Sequence, residues 1–178
     1  MEIIKTSIED LIVIQPKVFE DERGYFMESY KASFVKDNFP DTHFIQDNES
    51  KSSYGVLRGL HFQKPPYEQT KLVRVIEGEV LDVAVDIRKH SPTYGKWESI
   101  ILSGENKKQF FIPKGFAHGF VVLSKKAILS YKVDNSYAPQ YDSGIIYNDP
   151  SLSIDWVLPE TDLVLSNKDK NLPEFLLK

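Results

Sequence analysis

The run KLVRVIEGEVLDVAVDIRK, residues 71–89, constrains the fold more than any other stretch of the chain. It reads as two strands that reverse around Glu77-Gly78. In the second strand Leu81, Val83, Val85 and Ile87 point one way, and Val80, Asp82, Ala84, Asp86 and Arg88 point the other, a period of two. More strand-like runs follow: WESIILS, QFFIPKG, GFVVLS, AILSYKVD and GIIYND, separated by turns rich in Gly, Pro, Asn, Asp or Ser. Helical signal is confined to YKASFVKDNF, with a terminal turn expected at NLPEFLLK. Many short strands predict an all-β sandwich, jelly roll or barrel with a few short helices. No repeat or linker divides the chain, and 178 residues fit one domain over residues 1–178.

Composition narrows the function. Hydrophobic residues make up 41% and charged residues 27%, a balance normal for a soluble globular protein. The net charge of −4 argues against general nucleic-acid binding, which needs a basic face, while leaving room for a local anion pocket. With no cysteine, disulfides, thiolate nucleophiles and cysteine-ligated zinc are excluded. The N-terminus MEIIKTSIEDLIVIQP lacks a basic segment followed by a long apolar one, so no signal peptide is expected. No apolar run approaches the ~20 residues of a membrane span, so a cytoplasmic location without membrane contact is expected.

Common catalytic signatures are absent. There is no phosphate-binding loop, no dinucleotide fingerprint and no nucleophile elbow. Of the four histidines, His43, His61, His90 and His118, two lie in suggestive contexts, RGLHFQ and IPKGFAHGF. Those segments resemble the metal motifs of the cupins. Pro113-Lys114-Gly115-Phe116-Ala117-His118 fits the second cupin motif, but in the first Gln63 stands where another histidine would be, with Glu68 near the acidic position. A neutral amide is a poor replacement for imidazole on a transition metal. The resemblance therefore implies a cupin-like jelly-roll β-barrel that has lost its metal, with no cofactor.

A closer resemblance runs through FEDERGYFMESY, FIQDNESKSSYGVLRGLHFQ, QTKLVRVIEGEVLDVAVDIRKHSPTYGKW, FIPKGFAHGFVVLS, YKVDNSYAPQYDSGIIYNDP and LSNKDKNLP. In that order these segments resemble the dTDP-4-dehydrorhamnose 3,5-epimerase family from about Asp10 to Pro173. The resemblance implies epimerisation of dTDP-4-dehydro-6-deoxy-D-glucose at C3 and C5, making dTDP-4-dehydro-L-rhamnose for dTDP-L-rhamnose synthesis. Such chemistry needs a base on one face of the sugar, stabilisation of an enolate, and an acid on the other face.

By that resemblance His61 is the base and Asp169 orients it. Lys71 faces the developing O4 enolate, and Tyr131 is the opposite-face acid. His118 and Arg58 hold the substrate or its phosphates, and Arg23 and Lys168 contact the diphosphate. Phe26, Glu28, Gln46, Asp47 and Asn48 are further substrate contacts, and Tyr137 stacks on thymine. Asp142 stands where the family pattern leads one to expect glutamate, giving a shorter reach. The segment around Arg23 and Glu28 is expected to serve a neighbouring subunit's site, which implies a homodimer.

Taken singly, each residue has a plainer reading. His61 would be a core histidine, Lys71 a solvated strand charge, Tyr131 and Tyr137 half-buried strand aromatics, and SNKDKN a polar loop. Asp82, Asp86 and Arg88 read as a solvated or paired strand face with no catalytic part. Two other functions stand beside the 3,5-epimerase reading: a relative that epimerises only C3 or only C5 or takes a different nucleotide sugar, which sequence separates poorly, and a non-catalytic, metal-free sugar-binding barrel, which would require the base, its carboxylate and the phenol to be dispensable.

Overall fold

The computed structural model describes residues 1–175. Its strands are β1 (Glu2–Lys5), β2 (Ile12–Gln15), β3 (Val18–Asp21), β4 (Gly24–Met27), β5 (Gln46–Ser53), β6 (Leu57–Gln63) and β7 (Lys71–Glu77). They continue as β8 (Glu79–Asp86), β9 (Trp97–Ser103), β10 (Gln109–Ile112), β11 (Phe116–Val122), β12 (Lys126–Val133) and β13 (Asp142–Gly144). The α-helices are α1 (Ala32–Asn38) and α2 (Asn167–Lys170). One sheet has the order β1-β2-β10-β7-β12-β5, the other β13-β6-β11-β8-β9, and β3 pairs with β4 as a separate hairpin. All pairings of named strands are antiparallel. This is the cupin-like jelly roll that the sequence leads one to expect. No helix among the described residues is long and apolar enough to cross a membrane.

Three apolar layers hold the sheets. Between them lie Val73, Val75, Val80, Ala84, Phe110, Phe120 and Leu129. Burying a side chain such as Phe110, which is fully inaccessible, contributes roughly 1.5–3 kcal/mol over leaving it exposed. Behind the five-stranded sheet, Leu81, Val83, Val85 and Val121 pack under Ile145, Leu152 and Trp156 of the returning tail. On the outside of the six-stranded sheet, α1 lays Phe34 beside Phe39, which stacks on Phe111 at 3.9 Å between ring centroids.

Covering both faces of the five-stranded sheet decides between the two readings of the charged face of β8, solvated or paired. The polar face of β8 is not solvated: Asp82 and Asp86 are both completely buried. Arg88 lies beyond the end of the strand and pairs with Asp86. GIIYND also differs from its expected strand, since only Gly144 belongs to β13. Ile145 still exchanges both backbone hydrogen bonds with Leu60, but Asp149 N–H then closes a turn onto the Ile146 carbonyl. The Asp149 side chain accepts from the backbone of Ser151, Leu152 and Phe175, which takes the chain out of the sheet. The turn expected over 171–178 lies partly outside the described residues.

Candidate active site

β6 carries His61 in the five-stranded sheet, directly opposite His118 of β11. The close approach of these strands depends on glycine: a Cβ on Gly59, at φ +127°, would sit 2.5 Å from the Gly119 Cα. The His61 Nε2 lies 2.6 Å from Asp169 Oδ1 across 108 residues of sequence. The tail that brings Asp169 back is pinned by Val164 N–H to the Gly55 carbonyl at 2.8 Å and Leu57 N–H to the Val164 carbonyl at 3.0 Å.

SNKDKN, plain polar loop on its own, folds as a capped helical turn. Ser166 is the N-cap of α2, and its Oγ accepts the Asp169 N–H at 3.1 Å. The same hydroxyl donates to Asp169 Oδ2 at 2.6 Å, and the Gly59 N–H donates to Oδ1 at 3.3 Å. Asp169 is thus held on both oxygens while buried. An ionised Asp169 accepts the His61 Nε2 proton, which leaves the lone pair on Nδ1. Burial lowers the His61 pKa, Asp169 opposes that, and Lys168 and Lys71 lower it further. The imidazole is therefore neutral at neutral pH, the form a base requires.

The opposite wall belongs to the other sheet. Lys71 opens β7, opposite Val133 of β12, and Tyr131 lies two residues back along β12. Lys71 is buried, and its Nζ donates to the His61 carbonyl at 3.4 Å. Desolvation lowers its pKa to about 8, against the pull of Asp82 and Asp142. Burial raises the Tyr131 pKa, with Arg58 opposing, so the phenol keeps its proton. Arg58 Nε donates to Ser52 Oγ at 3.2 Å, and buried His118 meets Asp82 Oδ1 through Nε2 at 2.9 Å.

Arg58, His61, Lys71, His118, Tyr131, Tyr137, Asp142, Lys168 and Asp169 all line one cavity of about 370 Å³. Tyr137 stands exposed, its hydroxyl donating to Asp142 Oδ2 at 3.3 Å, and Lys168 pairs with the same oxygen. A larger cavity of about 760 Å³ shares Phe62, Gln63, Gln69 and Lys71 with it but contains none of the histidines. The chemistry therefore lies in the smaller one.

Other expected residues lie elsewhere. Asp47 and Asn48 line a groove that meets the cavity at Glu49 and Tyr131, where Asp47 pairs with Lys132 at 2.7 Å. Gln46 is exposed and donates to Asn48 Oδ1 at 2.8 Å. Arg23 and Phe26 line a shallow groove on the β3–β4 hairpin, and Glu28 pairs with Lys31 at 3.3 Å. None of these three lines the His61 cavity of its own chain.

Gln63 has a definite task. Its Nε2 donates to the Tyr67 and Ser136 carbonyls at 2.7 and 3.1 Å, and its Oε1 accepts the Ala138 N–H at 2.7 Å. The amide ties two loops together where a metal-binding cupin would present imidazole. Glu68 lines the larger cavity instead of joining His61 and His118. Sequence reasoning missed Glu49 and Ser50 in the cavity, and Ser166, Gly59 and Asp82 behind it. Only Ser166 carried a signal, as a serine opening a short polar run.

A family model described as dTDP-4-dehydrorhamnose 3,5-epimerase matches residues 5–176. The enzyme of that name from Methanothermobacter thermautotrophicus is 54% identical over 169 residues, covering 94% of this chain and 91% of its own. The dTDP-4-dehydrorhamnose 3,5-epimerase structure from Elizabethkingia anophelis NUHP1 has a TM-score of 0.94 at 54% identity, covering 98% of this chain and 96% of that one. The dTDP-6-deoxy-D-glucose-3,5-epimerase from Legionella pneumophila Philadelphia 1, in complex with dTDP-4-keto-L-rhamnose, has a TM-score of 0.92 at 49% identity over 99% of both chains. Likeness of this extent in both sequence and fold, around a cavity built from the residues just described, establishes that the chain belongs to the dTDP-4-dehydrorhamnose 3,5-epimerase family.

Proposed function

We propose that this protein epimerises dTDP-4-dehydro-6-deoxy-D-glucose at C3 and C5, yielding dTDP-4-dehydro-L-rhamnose, with His61 as base and Tyr131 as acid. The observation that carries the reading is the placement of a neutral imidazole and a protonated phenol on opposing sheets of one cavity that also holds a buried lysine. The C3 and C5 hydrogens flank the ketone and are acidified by it. His61 Nδ1 takes one of them, and the electron pair moves onto O4 as an enolate facing the Lys71 ammonium. Tyr131 then returns a proton to the same carbon from the far face. His61 surrenders its proton and the phenolate recovers one before the next cycle.

Arg58 and His118 hold the sugar or its phosphates, and Lys168 contacts the diphosphate. Tyr137 offers an exposed ring for thymine to stack on. Arg23, Phe26 and Glu28 act on a second copy's cavity in a homodimer. Supporting that reading, the hairpin projects Phe19, Tyr25 and Phe26 at 52%, 53% and 67% exposure, an unusual density of apolar rings for a surface.

The test is to incubate purified protein with dTDP-4-keto-6-deoxyglucose in deuterated water and follow label by NMR. Deuterium is expected at both carbons, with inversion at both. Label at one carbon only would make this a single-site epimerase, and label at neither would remove the catalytic reading. Because Gln63 is committed to backbone partners, EDTA is expected to leave turnover unchanged. Loss of activity with EDTA, recovered by one divalent metal, would overturn metal independence.

A further inference from the structure

Asp82 is a charge on a strand buried from both sides. Taking a carboxylate out of water is costly unless hydrogen bonds or a cation compensate. Asp86, two residues on and equally buried, shows the usual solution, accepting from Arg88, Ser91 and Thr93. Asp82 is treated differently. Its Oδ1 meets His118 Nε2, but its Oδ2 is buried with no hydrogen-bond partner among the described residues.

The buried cation on which Asp82 acts is Lys71. Sharing its cavity are Arg58 and His61 on β6, His118 on β11 and Asp142 on β13 from the opposite sheet, Glu49 on β5 and Tyr131 on β12 from its own sheet, and Tyr137, while Asp82 on β8 also acts on it. Lys168 and Asp169 of α2 line the same cavity, and the larger cavity adds Lys64, Glu68, Arg88, Lys89 and Glu174. Of all these, Asp82 and then Asp142 act to keep Lys71 protonated. Asp142 already accepts from Lys168 and Tyr137 through one oxygen, which offsets its charge. The open oxygen of Asp82 has no such offset.

We propose that Asp82 is a positioning residue, a fixed carboxylate that keeps the His118 proton on Nε2 and holds the Lys71 side chain as a charged ammonium. The proposal rests on the reading of Lys71 as the group that meets the O4 enolate. Leaving Oδ2 without a donor gives Lys71 the field of a carboxylate without occupying its N–H groups, which stay available to O4. Asp82 also repels the enolate. That cost is outweighed when the alternative is a desolvated lysine that loses its charge in the working pH range.

The experiment compares the pH dependence of deuterium incorporation in the unaltered enzyme and in Asp82→Asn. In the unaltered enzyme the rate should fall as Lys71 deprotonates, near pH 8. In Asp82→Asn that alkaline limb should move down by roughly one pH unit, about a tenfold loss above pH 8 against a small loss near pH 6. An equal loss at every pH, with the limb unmoved, would reduce Asp82 to a packing residue and overturn the proposal.

A second measurement needs no variant. In protein labelled with ¹⁵N-histidine and ¹³C-lysine, His118 should carry its proton on Nε2 at neutral pH and Lys71 should remain charged there. A bare His118 Nε2, or a Lys71 already neutral at pH 7, would overturn the proposal even if Asp82→Asn fails to fold. Absence of exchange in the unaltered enzyme would instead count against the epimerase reading, and the NMR result would stand apart from it.

Discussion

Replacing His61 with Asn lowers both deuterium exchange and turnover by at least ~10²-fold, the lower end for a positioned general base. The size follows from the surroundings. His61 is the cavity imidazole bonded to Asp169, and burial together with Lys168 and Lys71 favours its neutral form. The Lys71 amine is mostly protonated at pH 7, with its pKa at about 8, and the Tyr131 phenol is held protonated. Asn is smaller and can still donate to Asp169 Oδ1, so the strand and the capped tail should persist. Affinity for dTDP should survive, because the residues assigned to the nucleotide are Tyr137 and Lys168. Asp169→Asn should cost less than His61→Asn, since the imidazole remains but loses its fixed tautomer. Near-normal exchange in His61→Asn would require a different base.

Much of the barrel was legible because β8 alternates with a period of two and the other strand-like runs from β7 to β12 are short and bounded by turn residues. What periodicity could not show was the tail. A charge on an alternating strand reads as solvated or paired, and periodicity alone does not choose between the two for Asp82 and Asp86. Only the return of Ile145, Leu152 and Trp156 over the five-stranded sheet, with the other sheet on its inner side, makes both faces interior. The short strands β1 to β4 carry too few residues for a period to declare itself. His61 and His118 drew notice as residues, and the break at Gln63 was readable as a missing ligand, though not the loop contacts that replace it. Asp169 was reachable only through family resemblance. Its partnership with His61 spans 108 residues and depends on a serine cap and a glycine N–H that have no long-range signature. Arg23, Phe26 and Glu28 lie off the cavity, where one chain alone assigns them nothing to bind.

Tyr131→Phe is expected to separate proton exchange from inversion. Taking a proton and returning it to the same face needs His61 and a stabilised enolate. Inverting the carbon needs a donor on the far face, and Tyr131 reaches the cavity from the sheet opposite His61. The substitution is structurally mild. The ring packs against the core between the sheets, paired with Asn48 and Val73 on the neighbouring strands, and the hydroxyl makes no protein hydrogen bond among the described residues. Removing it leaves no buried partner unsatisfied, so the midpoint of thermal unfolding should hardly move. Binding of dTDP should also persist, since thymine is assigned to Tyr137. The variant should therefore still wash deuterium into C3, C5 or both, while inverted product forms at least ~10²-fold more slowly, as for loss of a positioned acid. A single NMR time course reports label and configuration together. Equal falls in exchange and inversion would mean that the phenol acts earlier, on the enolate. If neither falls, another group or a water supplies the far-face proton, and Tyr131 is a packing residue.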